Sequence, residues 1–486
     1  MVTNFKKTIL SIGFIFLSSL SVIASEIPEI EWSIELLKPG IAKSVAVDVC
    51  GNSYITGHTS GDLEGSNTGG LDVFIAKYNP RGEQEWLRQF GTVNDDGGNY
   101  ITVDERGNCY VCGSSSGDFD GENAGKNDAF IVKYSTSGNQ IWRRQLGTPE
   151  DDIGKKIILN DSGLCYLLGS STGNFGFTKD DLYAAFAALY DTSGNQLWIK
   201  QPHAESKTYQ NIKDATVDND GNIYLTGEPG FLAKCDSSGS MVWEIGFQTT
   251  FKTPWGIELD QSGIIHVTGW TASYVAVTQK YNNNGDRIWS RTFIKNGWSC
   301  PKVVVSYQDS SGDVLIGGCQ GGPPGTHCDG FICKYTSTGD RLWIVENNID
   351  YCGNCVAVDQ LGNNYLAGGK SGDAFLIKIK STEATSTSTP CACVKKYSLD
   401  QNYPNPFNPT TAIQYSLTKS SAVELNIYNI NGEKIRTLIR DFKSAGQFTE
   451  IWDSTDDFGR PVSSGVYFYE LITNTGKIQK KLLLLR

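Results

Sequence analysis

Three groups of residues in this chain could do chemistry. Asp118-x-Asp120-x-Glu122 sets carboxylates at alternate positions, a spacing that offers oxygens to a hard cation such as calcium. The stretch lacks the sixth-position glycine and distal glutamate of an EF-hand loop, so solvated loop acids are the competing reading. Trp255, Trp270 and Trp298 could form a ligand-binding platform that stacks on a sugar ring or an apolar side chain, or could equally plug gaps between packed elements. Cys352-x-x-Cys355, with His327 in the same loop set, has the residue types of a zinc site. The four histidines, His58, His203, His266 and His327, stand at no recognisable spacing from a nucleophile, so no catalytic residue is assigned.

The elements that must position these groups come from a repeat. Asp-x-x-Gly-x-x-Tyr-x-x-Gly recurs between residues 48 and 368, with first glycines Gly51, Gly107, Gly163, Gly221, Gly263, Gly312 and Gly362. Aspartate followed three residues later by glycine is a type I turn signature, so the repeated acids are turn builders rather than catalysts. His266 occupies the tyrosine slot of the fifth copy and reads as a packed residue. Each copy continues into a Phe-x-x-Lys stretch and a Gly-x-x-x-Trp stretch, and four short strands in about 52 residues describe one blade of a β-propeller. The seventh copy stops at Lys380 without its tryptophan strand, while an orphan strand bearing Trp32 precedes the first copy. Pairing the two completes a seven-bladed β-propeller over 26–380 and leaves no open edge.

Antiparallel connectivity sorts the loops onto two faces. One face carries short, fixed turns. On the other, the distance from the last motif glycine to the phenylalanine position is 17 residues in the first three copies, then 4, 8, 13 and 7. Variable loops on a rigid scaffold are where binding residues collect. The three tryptophans map to that face, as do the acids Asp62, Glu64, Asp95, Asp96, Asp118, Asp120, Glu122, Glu150, Asp151 and Asp152. Cys300, Cys319, Cys328, Cys352 and Cys355 also fall on its connections and are candidates for local disulfides, whereas Cys109 and Cys165 read as buried thiols.

Composition narrows the choices further. Glycine makes up 53 of 486 residues and methionine only 2, a turn-rich all-β profile rather than a helical one. A formal charge of -11 offers no basic field, which argues against nucleic acid and anionic membranes as partners. Lys6 and Lys7 precede an apolar run from Ile9 to Leu20 and the small residues Ala24 and Ser25, the pattern of a secretory signal peptide over 1–25. The 13 cysteines would then reach an oxidising compartment, where disulfides form. No later apolar run is long enough to span a bilayer, so no membrane span is expected in the mature chain.

Over residues 31–380 the repeat resembles the SBBP-type bacterial β-propeller repeat, which implies an exported propeller protein. Its Gly-x-x-x-Trp element is also similar to the tryptophan-docking motif of quinoprotein dehydrogenases, although Tyr190 stands where that family has aspartate. Residues 381–396 are Ser/Thr-rich and read as a linker. From 397 to 486, alternation at Val423, Leu425 and Ile427 and a type I′ hairpin signal at Asn431-Gly432 indicate a small Ig-like β-sandwich. Within it, the run Asn402-Tyr403-Pro404-Asn405-Pro406-Phe407-Asn408-Pro409, then Gly432 with Lys434, Gly465 with Tyr467, and Lys480 with Lys481, resemble the type A C-terminal sorting domain of the type IX secretion system. The resemblance implies that 397–486 is the partner of that machinery and that the protein is secreted or held on the outer cell surface.

These readings converge on an exported ligand-binding or adhesion module for an extracellular glycan or protein. An extracellular propeller enzyme of quinoprotein, lyase or glycosidase type is the alternative, and a passive structural spacer is the second. No cofactor is expected, with calcium the one ion the acids could take.

Overall fold

The computed structural model describes the chain apart from residues 1–27, 66, 161–162, 176–183, 202–210, 219, 229, 248–252, 261, 272–274, 294–303, 307–312, 322–327, 347–351, 371, 382–396, 400, 418–419, 445, 475 and 486. The expected signal peptide, 1–25, and nearly all of the expected linker, 381–396, lie outside the described residues. Contacts divide the chain into two compact units, 1–384 and 385–486.

In the first unit the described strands fall into seven four-stranded antiparallel groups. Ile30–Val47 belongs to two of them. Its first half pairs with Asp373–Ile379, placing Glu35 opposite Phe375 and Ile34 opposite Leu376, and its second half pairs with Ser53–Thr59. The strand carrying Trp32 therefore supplies the missing fourth strand, as the interrupted last copy requires. The innermost strands are the second half of Ile30–Val47, then Asp96–Val103, Asp152–Leu159, Asn211–Val217, Thr253–Leu259, Val304–Ser306 and Cys352–Val358. Each touches the next, and the last returns to the first, so the groups stand around a common axis as the blades of a propeller.

The repeat residues hold neighbouring blades together. Asp48 Oδ1 accepts from the Cys50 and Asn52 amides, closing its turn, while its Oδ2 accepts from the Tyr54 hydroxyl. That hydroxyl lies 3.1 Å from the carbonyl of Gly107 in the next blade's turn, so one tyrosine ties two turns together. Trp86 stands edge-on to Tyr54 at 6.0 Å, and its Nε1 donates to Thr136 O of the next blade. The same geometry recurs for Trp32 with Tyr365 and Pro80, and for Trp142 with Tyr110 and Thr192. The glycine of Gly-x-x-x-Trp is explained by this contact: a Cβ on Gly138, whose φ is +78°, would stand 2.9 Å from the Trp86 ring of the preceding blade. His266 is fully buried, edge-on to Trp289 and 3.7 Å from Asp260, in the place that tyrosine takes elsewhere.

The second unit is a sandwich of two sheets. Tyr397–Leu399, Thr411–Leu417 and Gly446–Trp452 make one; Lys434–Lys443, Ser421–Tyr428, Gly465–Thr473 and Gly476–Leu484 make the other. Trp452, Phe407, Tyr469 and Leu425 centre its core. The Asn429–Gly432 turn departs from the type I′ expectation. Only Gly432 has positive φ, at +80°, and Asn431 does not, so the turn is type I with a glycine bulge.

Among the described residues Cys50, Cys109, Cys112, Cys165, Cys235, Cys333 and Cys355 carry thiols outside any disulfide. The disulfide expectation for Cys355 is thus corrected: it lies within the inner strand Cys352–Val358, not on a connection, with its Sγ 3.7 Å from Ser44 Oγ. Cys319 and Cys328 likewise fall within strands, while Cys300, Cys391 and Cys393 lie outside the described residues.

Candidate functional site

Two of the loop acids on the variable face, Asp62 and Asp118, turn inward to hold their own loops. Asp62 accepts from the Asn67 amide at 2.8 Å, and Asp118 accepts from the Asn123 amide at 2.9 Å in the equivalent loop. Asp120 faces Arg143 and Arg144 at 3.7 and 3.9 Å, whereas Glu122 points to solvent. Asp118, Asp120 and Glu122 therefore do not converge, and among the described residues no three His, Cys, Asp or Glu side chains cluster as metal ligands. Glu64 pairs with Arg88, Glu150 pairs with Lys126, and Asp95 accepts from the Leu71 amide. Cys109-x-x-Cys112 is a second thiol pair of zinc-like spacing. Its two members belong to different hydrophobic clusters, on opposite faces of one strand, and cannot share an ion.

Trp255 and Trp270 are brought together. Their rings stand edge to face at 6.2 Å and 81°, each partly exposed. Neither lies in a loop: Trp255 belongs to the inner strand Thr253–Leu259, and Trp270 ends Ile265–Trp270. Lys213 lies 5.0 Å above the Trp255 ring and pairs with Glu228 at 3.3 Å. Trp298 and His327 lie outside the described residues.

Sequence reasoning missed the channel. Its middle is crossed by Lys156, whose Nζ lies 3.1 Å from Asp214 and 3.3 Å from Glu258 and donates to Ile257 O. Burial alone would push the Lys156 ammonium down, but the Asp214 and Glu258 carboxylates outweigh it and hold the group well above the ordinary lysine range. A lysine held charged in this way does not act as a general base at neutral pH. Below this plug a cavity of about 1140 Å³ opens at the fixed-turn face, where Glu105, Asp220 and Ser262 line it. The signal for these residues was present in the register: Lys156, Asp214 and Glu258 stand four, four and two positions before the turn residues Asn160, Asp218 and Asp260 on inner strands. Without the strand pairing, nothing distinguished those positions from ordinary strand residues.

In the second unit part of the expected sorting set, Asn402, Asn405 and Phe407, is tied into the sandwich. Asn402 donates from its amide to the Tyr469 hydroxyl and from Nδ2 to Pro404 O and Thr411 Oγ1. Asn405 Oδ1 accepts from the Leu483 amide, and Phe407, buried, exchanges backbone bonds with Leu483 and Leu485. The proline-rich run is thereby knitted to the last strand, which carries Lys480 and Lys481. Tyr467 is buried against Trp452 with its hydroxyl donating to Ser463 O, and it follows Gly465 at the start of its strand. Tyr403, Pro404, Pro406, Asn408, Pro409, Gly432 and Lys434 are exposed, Tyr403 at 82%.

Comparison with known proteins agrees with this division. Residues 401–485 match the family described as secretion system C-terminal sorting domain, and 85–120 match the β-propeller repeat called SBBP. The sorting domain marks an exported protein handled by the type IX secretion system, secreted and localised at the cell surface. The chain is 27% identical to regulatory protein FlaEY of Caulobacter vibrioides over 99 residues, 19% of this chain and 10% of that one. It is 25% identical over 368 residues to an uncharacterised WD repeat-containing protein of Acanthamoeba polyphaga mimivirus, 65% of this chain and 23% of the other. The alignments thus span less than a quarter of either relative. A crystal structure of a protein of unknown function from Bacteroides caccae aligns over 55% of this chain and 86% of its own, at 12% identity and a TM-score of 0.37. Among the described residues no helix is long and apolar enough to cross a membrane.

Proposed function

We propose that the propeller is a ligand-binding module that the sorting domain delivers to the cell surface, and that it takes an extracellular glycan or protein at the variable-face end of its channel. The observation that carries this reading is the Trp255–Trp270 pair: two indoles held edge to face and partly exposed on the innermost strand and its neighbour. Aromatic faces set in a rigid frame lose little entropy on binding and suit sugar C–H faces or apolar side chains. Lys213 beside them adds a charged donor. The charged state of Lys156 and the structural use of the repeat acids speak for binding over catalysis.

Mixed glycan and peptide arrays probed with the mature chain test the proposal. Binding to at least one ligand class, lost on combining Trp255→Ala with Trp270→Ala while the fold is retained, is the expected result. Folded protein that stays blank on both arrays would contradict it.

A further inference from the structure

Six described inner strands carry a β-bulge at one level of the channel, toward the variable face. The extra residue is Lys43, Asn99, Lys155, Lys213, Trp255 or Asn354, each five positions before its turn residue. A bulge takes its residue out of the ladder and re-aims the side chain. The two asparagines show the direction: Asn99 Nδ2 donates to Gly154 O at 2.9 Å and Asn354 Nδ2 to Ala42 O at 2.8 Å, each reaching the next inner strand around the ring. Lys213 crosses in the same sense to lie over Trp255.

Half of these six positions are lysines, in a chain of net charge -11. Glu228 answers Lys213. Asp214 and Glu258, the nearest acids below, are already engaged by Lys156. Lys155 has no ion pair among the described residues, and burial, followed by repulsion from Lys213 and Lys43, pushes its ammonium down to about 8. Holding like charges together in a partly buried neck costs stability, a cost that a bound anion would offset.

We propose that this neck binds an acidic sugar, with its anionic group seated among Lys43, Lys155 and Lys213 and its ring against the Trp255 and Trp270 indoles. The inference rests on the ligand-binding reading above and specifies the ligand class. Charge-assisted hydrogen bonds from lysine suit a carboxylate or sulfate equally. The adjoining flat indoles favour a sugar over an acidic peptide, which would satisfy the lysines but leave the aromatic faces unused.

Calorimetric titration of the full mature chain tests this, using tri-galacturonate, a sulfated chondroitin disaccharide, maltotriose and hexa-aspartate. One or both acidic sugars should bind about ten-fold or more tighter than maltotriose and hexa-aspartate, the comparison of the two showing whether carboxylate or sulfate is preferred. Affinity should fall as pH rises through about 8, where Lys155, facing Lys43, Lys213 and the Cys112 thiol, loses its charge. Lys155→Gln and Trp255→Ala should each weaken the acidic sugar about ten-fold. On the unmodified chain, bound acidic sugar should also protect Lys155 from amine acylation read by mass spectrometry, a result independent of how the variants fold. Unchanged affinity in folded Lys155→Gln, hexa-aspartate binding as tightly as the sugars, or no binding of either acidic sugar would overturn the proposal. Should a neutral glycan bind while the acidic sugars do not, the module would remain a ligand binder and only the acidic-sugar assignment would fall.

Discussion

Each recurring residue does a definable job at a blade junction. The Tyr54 hydroxyl bridges the Asp48 carboxylate and the Gly107 carbonyl, so Tyr54→Phe should cost about 1 kcal/mol in denaturant unfolding, the net worth of a buried hydrogen bond. The loss stays modest because Asn52 still satisfies Asp48. Gly138→Ala should be worse, on the order of 2 kcal/mol or more, since it combines a left-handed backbone with a Cβ 2.9 Å from the Trp86 ring. Lys155 runs the other way. Its folded-state proton is released near pH 8, whereas the unfolded chain keeps its own to about 10.4. Between those values the unfolded state binds more protons, so stability contributed by this group rises with pH across the window. Lys155→Met should remove that slope and raise stability at pH 7 by roughly 3 kcal/mol, measured by urea denaturation at a series of pH values.

At the scale of elements, the turns and strands were legible because each is dictated locally. Asp48-x-x-Gly51 needs a turn acid and a residue able to take positive φ, and the sequence supplies both. The closing strand was legible from a missing tryptophan at one end and a surplus one at the other. What could not be read was the bulge. It depends on how an inner strand meets its neighbour across a register shift, and Lys43, Asn99 and Trp255 share no residue type that would betray a common position. The loop acids misled for a related reason: Asp118 and Asp120 resemble cation ligands in one dimension, but one closes on Asn123 and the other turns to arginines. Deleting residues 28–36 should expose the Asp373–Ile379 edge, lower the unfolding midpoint and promote association, which sedimentation velocity would register as dimers and larger species. A monomer of unchanged stability would show that the strand is dispensable.

For the whole molecule, two compact units divide the work, one presenting a channel and the other carrying the sorting sequence. Deleting 397–486 should leave the propeller folded but inside the outer membrane of a host with type IX secretion, as read by surface labelling of intact cells. The pairing of Ile30–Val47 with Asp373–Ile379 seals the ring and sets which strands are innermost and which residues face the axis. Native-state hydrogen exchange measures it directly. If the ring is sealed, amides in 30–36 exchange as slowly as those in 373–379 and both are released together in the global unfolding step. Rapid exchange of 30–36 beside a protected 373–379 would contradict the sealed ring and every channel assignment built on it.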